Sequence, residues 1–150
     1  MNIKTGVAIG SAAGLLLAVG LLYGASAAKV EEKLQGTWKL RAGEANGEAL
    51  SAKQIQDAKL VIEGDQYRFT LDGKETITGV QKLGLASGTK TIDITDSTGP
   101  NKGQTCLGIY ELQGDEFRVA FGTPGKARPS EFPTTPDSGY WMHIWNRVQE

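Results

Sequence analysis

The chain has one cysteine, Cys106, and one histidine, His143, among its 150 residues. A lone cysteine excludes an intrachain disulfide, so the fold must rest on its own core. Cys106 itself reads as a small buried residue in a strand, the usual setting of a free thiol. One histidine with one cysteine falls short of the three or four ligands that hold zinc. Reactive constellations are missing as well. No Gly-x-Ser-x-Gly elbow offers a nucleophile beside His143, and Asp72, Asp93 and Asp96 lack the tight spacing of a calcium loop. The carboxylates Glu63, Asp65, Glu75, Asp93, Asp96, Glu111, Asp115 and Glu116 fall mostly at turns or strand ends. Solvation or turn hydrogen bonding accounts for them there, without the facing pair that a glycosidase needs. Neither an enzymatic activity, nor a metal, nor a cofactor is expected.

Charge of one sign is also lacking. The 16 basic and 17 acidic side chains leave a net charge of −1. With no basic cluster above two or three residues, neither nucleic acid nor an anionic membrane surface is an expected partner. No Asn-x-Ser/Thr acceptor site occurs in the chain.

One long apolar run is present, at the start. Lys4 precedes an uncharged stretch from Val7 to Leu22, and Ala25-Ser26-Ala27 then supplies small residues at the positions a signal peptidase reads. Residues 1–27 are expected to be a cleaved signal peptide, with export to the periplasm or beyond and no membrane association of the rest. The alternative is an uncleaved membrane anchor, since Gly6 to Ala28 is long enough to span a bilayer. The absence of a cysteine near the leader's end argues against a lipid anchor. Residues 28–150 have the length of one domain, which is expected to be monomeric.

Short alternating segments and glycine-rich turns fill that domain. Residues 30–34 predict a helical turn that plugs the entry to the first strand. Trp38, Leu40 and Ala42 then alternate with Thr37, Lys39 and Arg41, the period of a half-buried strand. Asn46-Gly47 marks a turn, and Ser51 caps a short helix reaching about Asp57. Strands follow at 59–63, 66–71, 75–82, 89–95, 104–112, 115–121 and 140–148. Asp72-Gly73 makes a hairpin turn, residues 84–88 read as a loop, and 122–139 form a long loop with four prolines. Eight antiparallel strands with short connections predict an all-β, up-and-down barrel with one short helix near residues 51–57. A two-sheet sandwich is the rival, because strand counting does not reveal closure.

Gly36-Thr37-Trp38 in the first strand and Arg147 in the last predict that closure. An indole face holds a guanidinium by cation–π attraction, joining strands distant in sequence and adjacent in a closed sheet. Leu34 to Leu40 resembles the Gly-x-Trp segment of lipocalins and other calycins, with Arg147 in the place of the arginine that packs on the tryptophan. From Leu34 onward the chain resembles a lipocalin-like domain of uncharacterised function found in planctomycete proteins. The segments that carry this likeness are Gly99 to Thr105, Gly108 to Asp115 and Pro124 to Phe132. The resemblance implies a lipocalin-like barrel and export, and it brings no catalytic residue.

Function follows from what fills the barrel. Tyr67, Phe69, Leu71, Ile92, Ile94, Tyr110, Leu112, Phe117, Val119 and Phe121 form the inward row, and Tyr67, Phe69, Tyr110 and Phe117 are the candidate ligand-lining residues. An eight-stranded barrel either fills with its own side chains or holds one small ligand. The first reading is an exported, non-covalent binder of a small apolar or amphipathic molecule. The alternative is a filled barrel that contacts a protein or the cell envelope through the 122–139 loop, where Lys126, Arg128 and Phe132 form a cationic-aromatic edge. A third account makes that loop a proline-stiffened strap over the barrel. Arg68 and Arg118 are expected to face solvent, opposite the aromatic rows of their strands.

Overall fold

The computed structural model describes residues 32–149 except 72 and 74, so the leader and residues 30 and 31 of the plug lie outside the described residues, as does part of the Asp72-Gly73 turn. The strands are β1 (Gly36–Ala45), β2 (Glu48–Ala49), β3 (Lys59–Glu63), β4 (Gln66–Leu71), β5 (Glu75–Ala86), β6 (Thr89–Asp96), β7 (Thr105–Gln113), β8 (Glu116–Gly122) and β9 (Tyr140–Arg147). Each of β3 to β8 pairs with the next, β1 pairs with β3 on one side and β9 on the other, and β2 is a two-residue hook on the end of β1. Eight antiparallel staves therefore close into a barrel, and the two-sheet alternative is excluded. A closed sheet has no free edge to protect.

Closure occurs where the sequence places it. Trp38 stands directly opposite Arg147 in the β1–β9 register, and the guanidinium carbon lies 4.2 Å from the indole centre. Trp38 is fully buried and donates its indole N–H to the Leu34 carbonyl at 3.0 Å. Arg147 donates to the backbone carbonyls of Gln35 (2.6 Å) and Lys33, and to the Asp115 carboxylate (3.0 Å). The helical turn at 32–34 thus hangs from the last strand as a plug, with Leu34 completely buried beneath it. Gly36 has φ +116 and carries no side chain where the Arg147 guanidinium passes, 3.3 Å from the position a Cβ would take.

The short helix between β2 and β3, α1 (Ala52–Gln56), has the expected cap. Ser51 accepts from the Gln54 backbone N–H, and the Gln54 side chain accepts from the Ser51 N–H, a reciprocal capping box.

Two features of the strand pattern differ from expectation. The pairing slips between Leu40 and Ala42, a β-bulge with Arg41 as the extra residue. Trp38 and Leu40 point inward, but Ala42 falls opposite Ile144 on the outer face, and Gly43 and Ala45 take over the inner one. Residues 84–86 are not a loop but the last rungs of β5, paired with β6 as far as Ala86–Thr89. The reversal is confined to Ser87-Gly88, whose positive φ values of 48° and 81° match a two-residue hairpin turn.

Candidate ligand cavity

The inward row is assembled largely as the alternation implies. Ile92, Tyr110, Phe117, Val119 and Phe121 are buried, and Phe69, Leu71, Ile94 and Leu112 pack against them. The filling is uneven along the axis. Around Trp38, Phe117 and Tyr110 the interior is solid, with Phe117 set 5.6 Å from Trp38 and 6.2 Å from Tyr110. Toward the opposite end it opens into a cavity of about 380 Å³. Inward positions occupied by glycine help to make that room. A Cβ on Gly79 would lie 2.3 Å from the Tyr67 hydroxyl, and one on Gly108 would lie 2.4 Å from the Phe121 ring. Large neighbours lie across the vacated positions instead of standing up into the barrel.

Of the four candidate lining residues, Tyr67, Phe69 and Phe117 face the cavity. Tyr110 does not line it: the residue points inward but sits in the solid half, against Phe117. Strand alternation specifies which face a side chain occupies and is silent on its depth.

One wall is an aromatic panel that the candidate set omits. The centres of Trp141 and Phe121 are 4.6 Å apart, Trp141 and His143 4.8 Å, and His143 and Trp145 5.5 Å. Phe69 completes it from β4, edge-on to Trp145 at 5.9 Å. Alternation in β9 puts Trp141, His143 and Trp145 on one face, and this is the signal that would have found them. Enclosure among these rings disfavours an imidazolium, so burial pushes His143 from its ordinary 6.5 down to about 4. His143 is neutral at physiological pH.

Polar groups are few: Tyr67, Gln81 and Asp96 lie on the facing wall, and Asn101 and Thr123 complete the polar lining. Tyr67 donates its hydroxyl proton to Asp96, which ends β6 and points inward. Burial first, and then this bond and the Asp96 charge, drives the phenol's pKa well above its ordinary value. Asp96 is therefore not the solvated strand end its position suggests. One inward step deeper, Gln81 (6 % exposed) faces the cavity in the cross-strand row it forms with Ile94 and Cys106. Cys106 is buried there as expected, and burial raises its thiol's pKa, so it is protonated. No group of three potential metal-binding side chains occurs among the described residues.

The long loop lies back along the outside of the barrel. Arg128 grips Asp93 on the outer face of β6 with both amino groups, at 2.5 and 3.3 Å, and also donates to the Gly108 carbonyl at 2.6 Å. Phe132 packs with Arg118, whose guanidinium lies 5.4 Å from the ring centre. Arg68 is exposed, while Arg118 faces outward but is partly covered by this contact. Thr134 and Gly139 bond back to Glu44 and Asn46. Of the three proposed contact residues, Lys126 is the exposed one, and the loop forms the strap.

No protein-family model and no curated protein sequence matches the chain.

Proposed function

We propose that this protein is an exported, lipocalin-like carrier that binds one small apolar or amphipathic molecule non-covalently and performs no catalysis on it. The observation that carries the reading is the cavity of about 380 Å³ walled by Phe69, Phe121, Trp141, His143 and Trp145. Ligand sites typically begin at roughly 300 Å³ and are mostly apolar with a few placed polar groups. Export rests on the leader, and the likeness to a lipocalin-like family rests on the Gly36-Thr37-Trp38 segment and Arg147. The interaction-module alternative loses support because Arg128 and Phe132 are spent on the barrel's own surface.

Nile red, a neutral dye, tests the carrier reading. The folded protein should bind it saturably at one site, with blue-shifted emission. Ile94→Trp, which places an indole in the cavity, should abolish binding while the cooperative urea transition remains. Absence of dye binding, or binding that is indifferent to Ile94→Trp, overturns the proposal.

A further inference from the structure

We infer that the cavity selects an uncharged ligand bearing a hydrogen-bond acceptor oxygen, such as an ester, ketone or amide, and that Gln81 is the donor that reads it. This rests on the carrier reading above and narrows it to a ligand class.

The starting observation is an unanswered donor. Gln81 lines the cavity, and its side-chain amide nitrogen is buried with no hydrogen-bond partner among the described residues. Leaving such a group dry is costly, and native interiors rarely tolerate it without a ligand or water to meet it. Its cross-strand neighbours do not help: Ile94 is apolar, and Cys106 beyond it is a protonated thiol, a weak acceptor. Gln81 thus brings an unmet donor to the wall of a largely apolar chamber, one inward position along β5 from the Tyr67–Asp96 bond, with Asn101 and Thr123 as further uncharged polar residues that line it. A single oxygen acceptor on an apolar ligand satisfies it.

The cavity's charge distribution narrows the class further. No lysine or arginine lines it among the described residues, and His143 is neutral. Asp96 is the one acidic residue that lines it. A carboxylate ligand would enter a low-dielectric chamber with no counter-charge and an anion at its mouth, which is strongly unfavourable. An ammonium would find Asp96 and aromatic faces, yet it has no lone pair for Gln81. A neutral carbonyl oxygen is the group that answers the donor without bringing an unpaired charge.

Displacement of Nile red by four ligands of equal chain length tests this: methyl decanoate, decanoate, decylammonium and decane. At neutral pH, methyl decanoate should bind at least about tenfold more tightly than decanoate, the scale of one buried hydrogen bond gained and one unpaired charge avoided. Gln81→Leu should weaken methyl decanoate by roughly tenfold and leave decane unchanged. The empty Gln81→Leu protein should melt no lower than the parent, since the substitution removes an unsatisfied buried group. Tighter binding of decanoate or decylammonium than of the ester overturns the inference, as does equal loss of ester and decane in Gln81→Leu or a clear fall in its melting temperature. If all four displace the dye alike, or none does, this inference falls and the carrier reading stands. If Nile red itself does not bind, the carrier reading falls with it.

Discussion

The two ends of the barrel are built on opposite principles. At the end where β1 begins, strands reverse through the tight turns at 64–65, 87–88 and 114–115, and the 32–34 plug seals the bore over Trp38. Every polar atom of the Arg147 guanidinium there has a partner: two backbone carbonyls and Asp115. At the other end three of the four connections are long, spanning 46–58, 97–104 and 123–139, and the interior holds an orphaned amide, a neutral histidine and a void. Packing density stabilises, while empty apolar volume and unmet donors cost free energy. The molecule concentrates its packing at one end and its open volume at the other.

Removing the largest side chain at each end is the most direct way to break that contrast. Trp38→Ala should destabilise the barrel by about 3–5 kcal/mol, the range for a fully buried aromatic whose cavity cannot collapse. Trp141→Ala should cost less than about half as much, because Trp141 is only partly buried and already borders space. Urea unfolding of both variants measures the difference. Equal losses would mean that the two ends contribute alike to stability.

His143 gives a second, pH-dependent probe of the open end. Its folded-state pKa, about 4, lies below the 6.5 of an unfolded chain. Between these values the unfolded state binds more protons, so stability is full above about pH 6.5 and falls as pH drops toward 4. The loss should approach roughly 3 kcal/mol at the lower limit, since each pH unit of separation is worth about 1.4 kcal/mol. His143→Phe keeps the ring and removes the proton site. Carboxylates titrate in the same window, so the informative quantity is the difference between parent and variant in urea stability at neutral pH and near pH 4. If the two lose stability in parallel, His143 is not a buried neutral base.

The closed end was the more legible of the two in the sequence, for a physical reason. Trp38 and Arg147 announce their contact because an indole and a guanidinium in the first and last strands have few other ways to be satisfied together. Ser51 and Gln54 announce α1 because capping is local. The cavity depends on quantities that alternation does not encode. Tyr110 and Tyr67 share a face, yet the stagger between strands puts one in the solid half and the other beside the void. The bulge at Arg41 reverses the phase of β1, and so swaps Ala42 for Gly43 and Ala45 on the inner wall. Glycine contributes nothing to an alternation pattern, yet the missing side chains of Gly79 and Gly108 make room inside the barrel. The partners of Asp96 and Arg128, Tyr67 and Asp93, lie 29 and 35 residues away, beyond any local pattern.

The smallest effect expected here concerns the strap, which borders the open end from outside. Arg128 and Asp93 are each roughly a third exposed or less, so their pairing is partly screened. Adding the bond to the Gly108 carbonyl, Arg128→Ala should cost about 1 kcal/mol. The consequence should be local. Strap amides such as Thr123 and Lys126, which bond to Gly139 and Thr123 carbonyls, should exchange hydrogen faster. The Trp38 amide and its β1–β9 neighbours should keep their protection, because no contact of Arg128 reaches the plugged end. A uniform rise in exchange across all strands would show that the strap belongs to the global core, and the division between a stable end and an adaptable one would then fail at the strap.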